Sequence, residues 1–306
     1  MVAVFLLKRL VWMVVTLWVV FTITFFLMRA VPGGPFDDER KLPPEVERNI
    51  KARYHLDQPL HVQYGEQLWA TVRFDLGPSY KLADFTVNEV LAQGFPVSAS
   101  LGILALVIAL TIGLTAGVLS ALGRNSWLDV SSMATATVGI AVPNFVLASL
   151  AIIVFVFILR WFPAAGWGTL RHIALPAVCL AAPFAAYIAR LTRTGMLDVL
   201  SQDYIRTAYA KGLDSRRVII RHALRGAILP VVSYLGPAVA GILSGSLVLE
   251  QIFAISGMGS HFINAALQRD WTLAMGAVLV YTVLLYLMNA LVDVSYALID
   301  PRVRLE

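Results

Sequence analysis

Six apolar segments decide what this chain can become. They run roughly 10–29, 97–122, 130–159, 173–189, 227–249 and 271–292. Each, taken as a helix, is long enough to cross about 30 Å of hydrocarbon. Helix is the form lipid demands, because a segment in hydrocarbon has to satisfy its backbone hydrogen bonds internally. Composition agrees: 58% of the 306 residues are apolar, 14% are charged and the mean hydropathy is +0.75, whereas a soluble domain carries about 25% charged residues. The third segment contains Pro143, which predicts a tilt or a break, and the fourth contains Pro176 and Pro183. The single cysteine, Cys179, lies in an apolar run and reads as a small buried hydrophobe, so no disulfide can form within the chain.

The first segment is expected to be a retained span rather than a cleavable leader. Lys8 and Arg9 precede an uncharged run from Leu10 to Met28, longer than the 7–15 apolar residues, roughly, of a secretory signal. With the N-terminus inside, segments 1–9, 123–129, 190–226 and 293–306 hold 13 Lys and Arg, against 3 in the short outer loops 160–172 and 250–270. By the positive-inside rule both termini and the 190–226 loop are expected in the cytoplasm. The long outer segment 30–96 is too long to vote. It has its own pattern: Val46, Ile50 and Tyr54, then Leu60, Tyr64, Leu68 and Val72, recur at helical spacing. A small extracytoplasmic helical subdomain is expected there, as a cap on the membrane domain or as a receiving surface for a substrate or partner. The expected organisation is thus 1–29 for the N-terminus and first span, 30–96 for the subdomain, 97–292 for the core spans and 293–306 for the C-terminus.

Within the spans, Gly113–Gly117 and Gly241–Gly245 form GxxxG patterns that permit close helix approach and read mainly as internal packing. Few ionisable residues fall deep in the apolar segments. Asp293 closes the sixth and Glu250 follows the fifth, which argues against a proton- or ion-coupled secondary transporter. Asn144, Ser233 and Ser244 are candidates to line a path, as is Asn289, although each could instead serve an interhelical hydrogen bond. No HExxH, CxxC pair, GxSxG or GxxxxGK[ST] occurs, so neither hydrolytic chemistry nor a nucleotide site of the P-loop type is expected in this chain. If ATP drives transport, another polypeptide binds it.

The loop 190–226 is the most informative stretch. Leu197, Leu200, Tyr204 and Ala208 repeat at helical spacing with Ile205 beside them, and Gly212 supplies a left-handed stop. Asp214 is placed to cap a second helix through Arg216, Arg217, Arg221 and Arg225. A helix–glycine–helix elbow is expected on the cytoplasmic surface. Its arginines would suit anionic lipid heads, but the break and the small residues Thr207, Ala208 and Ala210 suit docking into a partner.

These residues are familiar. RTAYAKGL (206–213), with Ala208 and Gly212 in place and Leu229-Pro230 at its end, resembles the cytoplasmic "EAA" loop of the membrane subunits of bacterial ABC importers, in the modified form of the dipeptide/oligopeptide branch. Similar blocks extend over nearly the whole chain: RAVPGGPF…YHLDQPL (29–60), DLGPSY (75–80), FPVSASL (95–101), VPNFVLASL (142–150), GSLVLEQIF…GMG (245–259), RDW (269–271) and DVSYALIDPRVR (293–304). Together they look like the B-type permease subunit of the oligopeptide branch, with Ser256 departing from the proline often found there.

The resemblance implies an all-α integral membrane protein with six transmembrane helices in the type I ABC-importer permease arrangement. It implies a non-catalytic subunit in the bacterial inner membrane that forms half of a translocation path for oligopeptides. The implied partners are a second homologous permease, two ATPase subunits (identical or not) that bind the ATP and Mg, and an extracytoplasmic peptide-binding protein. Lipid surrounds the chain, and no nucleic acid is involved. The coupling helix would be 201–213, with Tyr204, Ile205, Arg206, Thr207, Ala208, Lys211, Gly212 and Leu213 facing or shaping the ATPase contact. The same scaffold importing dipeptides, nickel or opine-like compounds is the alternative. An integral-membrane enzyme or scaffold is a more distant one.

Overall fold

A computed structural model describes residues 2–36 and 44–299. Residues 37–43 of the quoted 29–60 stretch, and residues 300–306 at the C-terminus, lie outside the described residues. The described residues are predominantly helical. A single isolated bridge, Pro78 with Thr86, is the one extended pairing among the described residues.

Thirteen α-helical segments follow in order: α1 (Val2–Ala30), α2 (Pro44–Arg53), α3 (Leu60–Val72), α4 (Val87–Leu122), α5 (Trp127–Ala141), α6 (Asn144–Ala151), α7 (Leu170–Leu200), α8 (Asp203–Ala210), α9 (Ser215–Arg217), α10 (Leu224–Ala227), α11 (Leu229–Ile252), α12 (Met258–Gln268) and α13 (Trp271–Ile299). Wider π-helical turns extend α6 through Ile152–Ile158 and join α9 to α10 through Val218–Ala223. Five helices are long and apolar enough to cross a membrane. Taken as a pair, α5 and α6 with its π-helical extension pass the same test, bent by 106°, and count as a sixth span if the pair crosses as one. The bend falls at Pro143. Its missing N–H and the restriction it places on Val142 end α5, and Val142 is extended at φ −86°, ψ 123°.

Two spans outrun their apolar windows. The window ending at residue 189 becomes α7, which continues to Leu200 because Thr192, Gly195 and Met196 are buried. Pro176 and Pro183 sit inside α7 and are buried or nearly so. The window opening at residue 97 is entered from Val87, ten residues earlier, on a buried face of Val87, Val90 and Leu91.

The chain divides into two compact units, Met1–Val97 with Ser256–Tyr286, and Ser98–Ile255 with Leu287–Glu306. In the first, Phe21 and Phe25 of α1 are buried with Met275 and Leu279 of α13, and Tyr64 and Leu68 of α3 pack on them. The Tyr64 ring meets both phenylalanines edge-on, and its hydroxyl bonds Thr22 at 2.9 Å. Of the residues at helical spacing in 60–72, Tyr64 and Leu68 form the face that α3 lays on α1, whereas Leu60 and Val72, 52% and 61% exposed, lie outside it. Asp270, 1% exposed, organises the approach to α4. Its carboxylate accepts hydrogen bonds from Ser79 Oγ, from the N–H groups of Tyr80 and Lys81 at 3.2 Å, and from Leu273 N–H at 3.1 Å. Tyr80 packs at a tilt against Phe36 and edge-on to Tyr54, and burial pushes its phenol up to about 12.

In the second unit α7 is central. Gly113 and Gly117 of α4 face it so closely that an added Cβ would lie 2.7 Å from Ile188 and 2.5 Å from Thr192. Gly241 of α11 would likewise meet the Phe184 ring at 2.8 Å. The Gly113–Gly117 pattern therefore serves internal packing, where the missing side chains let two helices touch backbone to backbone.

Candidate coupling elbow

The elbow begins where α7 ends. Ser201 closes α7, Gln202 opens the backbone, and α8 runs for eight residues. Its inner face is Ile205 (1% exposed) and Ala208 (6%), packed with Met196 of α7, Ala121 of α4 and Val218, Ala223 and Ala227 of the following helical stretch. Leu200 and Leu213 flank the same cluster. One small hydrophobe at 208, beside the buried Ile205, is what lets α8 lie flat on its neighbours.

The stop after α8 is a complete Schellman motif. Gly212 N–H donates to Tyr209 O at 2.9 Å, Leu213 N–H donates to Ala208 O at 3.3 Å, and Gly212 takes φ +78°. Leu213 and Ala208 meet in the same apolar cluster, which is the hydrophobic contact this motif favours. The space about the Gly212 Cα is open, so the backbone conformation, and not crowding, selects glycine there. Asp214 then caps the next helix, its carboxylate accepting from Arg216 N–H at 3.0 Å.

The other predicted coupling residues divide cleanly. Tyr204 (49% exposed), Arg206, Thr207 and Lys211 are on the outer surface with Gly212. Ile205, Ala208 and Leu213 hold the elbow from beneath. Arg206 pairs loosely with Asp203 at 3.6 Å, both well exposed, and Thr207 Oγ1 donates to Asp203 O at 2.9 Å. The outer face is therefore a solvated, amphipathic patch on a rigid base. Of the path candidates, Asn144 opens α6 at the Pro143 bend and is half-buried. Ser233 lies exposed on α11, its hydroxyl donating to Leu229 O at 2.9 Å. Ser244 lies on α11, and its side chain is outside the described set.

A group absent from the sequence reading supports the elbow. Asp129, 3% exposed, receives Arg193 Nε at 2.6 Å and Nη2 at 2.7 Å, together with Ser120 Oγ and the Asn125 N–H at 2.9 Å. This two-pronged pair ties the last turn of α4, the turn after it and the start of α5 to α7, two turns before the end of α7. Taking the third span to begin at 130 left Asp129 in a loop, and nothing in the sequence links it to an arginine 64 positions later. Glu250 was likewise set just past the fifth span. It falls inside α11, fully buried.

Comparison with known proteins matches this architecture along its whole length. Residues 113–305 fit the family described as binding-protein-dependent transport system inner membrane component, and residues 1–102 fit its N-terminal companion. The dipeptide transport system permease protein DppB of Bacillus subtilis is 48% identical over 301 residues, covering 98% of each chain. The oligopeptide transport system permease protein OppB of Escherichia coli K12 is 47% identical over 302 residues, covering 98% of this chain and 99% of that one. Among solved structures, a chain of the MetNI methionine ABC transporter in an inward-facing conformation overlays with a TM-score of 0.58 at 17% identity, covering 69% of this chain and 96% of that one. That overlay carries the fold alone. With the apolar helices and full-length matches to two permeases, the chain belongs to the family of inner-membrane components of binding-protein-dependent transport systems, as a multi-pass ABC-importer permease subunit.

Proposed function

We propose that this subunit imports peptides and is driven through α8. The relatives at 47–48% identity are named for dipeptide and oligopeptide transport, and they match over 98% of the chain. The observation that carries the coupling assignment is the elbow itself: buried Ile205 and Ala208 beneath, exposed Tyr204, Arg206, Thr207 and Lys211 above, and a Schellman turn at Gly212 that fixes its exit.

In this reading the exposed face of α8 seats in an ATPase subunit, one of two, that binds ATP and Mg. A second, homologous permease completes the path. A peptide-binding protein delivers cargo at the opposite surface, with residues 30–96 of this chain on that side and both termini in the cytoplasm. Closure of the ATPases displaces α8, and α8 is continuous in packing with α7 and, through Asp129–Arg193, with α5. A push on α8 therefore moves α5 and α7 together, as rigid-body alternating access requires.

Growth of a peptide-auxotrophic host on tripeptides as the amino-acid source, with and without this gene, tests the cargo. Tagged purification from the same cells tests the partners. The expected results are gene-dependent growth and recovery of an ATPase and a second permease. Gene-independent growth would reject the peptide assignment.

A further inference from the structure

One face of α7 does not fit a helix that meets only lipid and protein. Tyr187, Arg190 and Thr194 lie three and four residues apart, one above another on the helix surface, and all three are exposed. The faces to either side are occupied. Ile188 and Thr192 meet Gly113 and Gly117 of α4, Phe184 meets Gly241 of α11, and Ala186 meets Gly139 of α5. The Tyr187–Arg190–Thr194 stripe is thus turned away from α4, into the gap between α5 and α11.

Polar chemistry continues on both walls of that gap. On α11, Tyr234 packs against Tyr187 with ring centroids 4.3 Å apart. On α5, Met133 and Thr137 line, with Arg190, Arg193 and Thr194, a cavity of about 280 Å³. The two arginines differ in state. Arg193 is held in two-pronged fashion by Asp129, whereas no carboxylate among the described residues pairs with Arg190. Arg190 is the first residue past the fourth apolar segment (173–189), at the end of that span expected on the cytoplasmic side, and an exposed guanidinium with no carboxylate partner is open to water or to a charged ligand.

We propose that the Tyr187–Arg190–Thr194 face of α7 is a wall of the translocation path and that Arg190 receives the C-terminal carboxylate of a peptide passing it. The second half of this statement rests on the peptide reading above. A planar guanidinium with free donors matches a carboxylate in charge and in fork geometry. The paired tyrosine rings one turn away offer an apolar and hydrogen-bonding surface for the peptide's body, and the 280 Å³ cavity beside Arg190 has room for a small residue.

The test uses the assembled transporter in inside-out vesicles, with Thr194→Cys or Tyr187→Cys introduced on a Cys179→Ser background and probed with a membrane-impermeant thiol reagent. Both cysteines are expected to label. Excess trialanine is expected to slow labelling of the Thr194→Cys protein several-fold, whereas trialanine amide leaves it unchanged. Adding Arg190→Gln should abolish the protection, and Arg190→Lys should keep part of it. Absence of labelling at both positions would place the stripe against lipid and overturn the path assignment. Equal protection by acid and amide, or protection that survives Arg190→Gln, would overturn the carboxylate role. Failure of the peptide reading shows separately, as loss of trialanine uptake in the unmodified transporter in whole cells.

Discussion

Gly212 sets a condition that almost no other residue meets. Its φ of +78° lies where a Cβ is unfavourable, yet the space around it is open. Gly212→Ala is expected to cost about 1–2 kcal/mol, from the backbone alone, and to slow uptake without abolishing it. Gly212→Pro locks φ near −65° and removes the N–H given to Tyr209 O, so the turn cannot form. Uptake and transport-coupled ATP hydrolysis should vanish while membrane insertion, read by protease protection, is retained. Normal uptake in the proline variant would sink the elbow assignment. The Asp129–Arg193 pair gives a graded series. Asp129→Asn leaves Arg193 facing a neutral amide and should lower the melting temperature of the detergent-solubilised complex and the peptide taken up per ATP. Arg193→Lys keeps the charge but loses the fork, and should fall between that variant and the wild type. Equal effects of the two would argue against a geometric role for the guanidinium.

At the level of elements, α8 separates support from contact, and substitution can follow the same division. Arg206→Glu with Lys211→Glu alters only the exposed face. Recovery of the ATPase in a pull-down should drop sharply, with thermal stability of the permease unchanged. Ile205→Asp, by contrast, buries a charge in the cluster around Met196 and Val218 and should lower stability first. How much of this was legible in the sequence depended on the range of the interaction concerned. The spans, the two helices of 44–72 and the glycine stop at 212 were readable, because periodicity and turn chemistry act over a few residues, but the spacing from Leu197 to Ala208 read as one helix, and the chain breaks it at Ser201–Gln202 between α7 and α8. The length of α7 was not. A charged residue at 190 closes a hydropathy window, and only packing against Ala227 and Val218 shows that the helix continues. Asp129 with Arg193, and Asp270 with Ser79 and Tyr80, were invisible for the same reason: their partners lie 64 and about 190 positions away. The three polar residues nominated for a path were chosen by type alone, whereas the stripe on α7 is defined by which helix faces are already occupied.

For the whole molecule, the charge asymmetry of the loops predicts a testable orientation. Epitope tags at either terminus should be cleaved by added protease in inside-out vesicles and protected in intact spheroplasts, and the reverse pattern would invert every assignment made to the 190–226 loop. The two compact units also differ in what holds them. The first is pinned by buried polar groups around Asp270 and by aromatic contacts with α1 and α3. The second is held by helices in backbone contact at Gly113 and Gly117. The Schellman turn has a further consequence at this scale. Because the carbonyls of Ala208 and Tyr209 at the end of α8 are satisfied within the turn, the surface that α8 would present to an ATPase under the proposed coupling consists mainly of side chains. Such a surface can be re-addressed. Under the proposed coupling, exchanging Arg206 and Lys211, the exposed cations of α8 and its turn, for the residues of another importer is expected to change which ATPase the permease accepts, while Ile205, Ala208 and Leu213 keep the elbow folded.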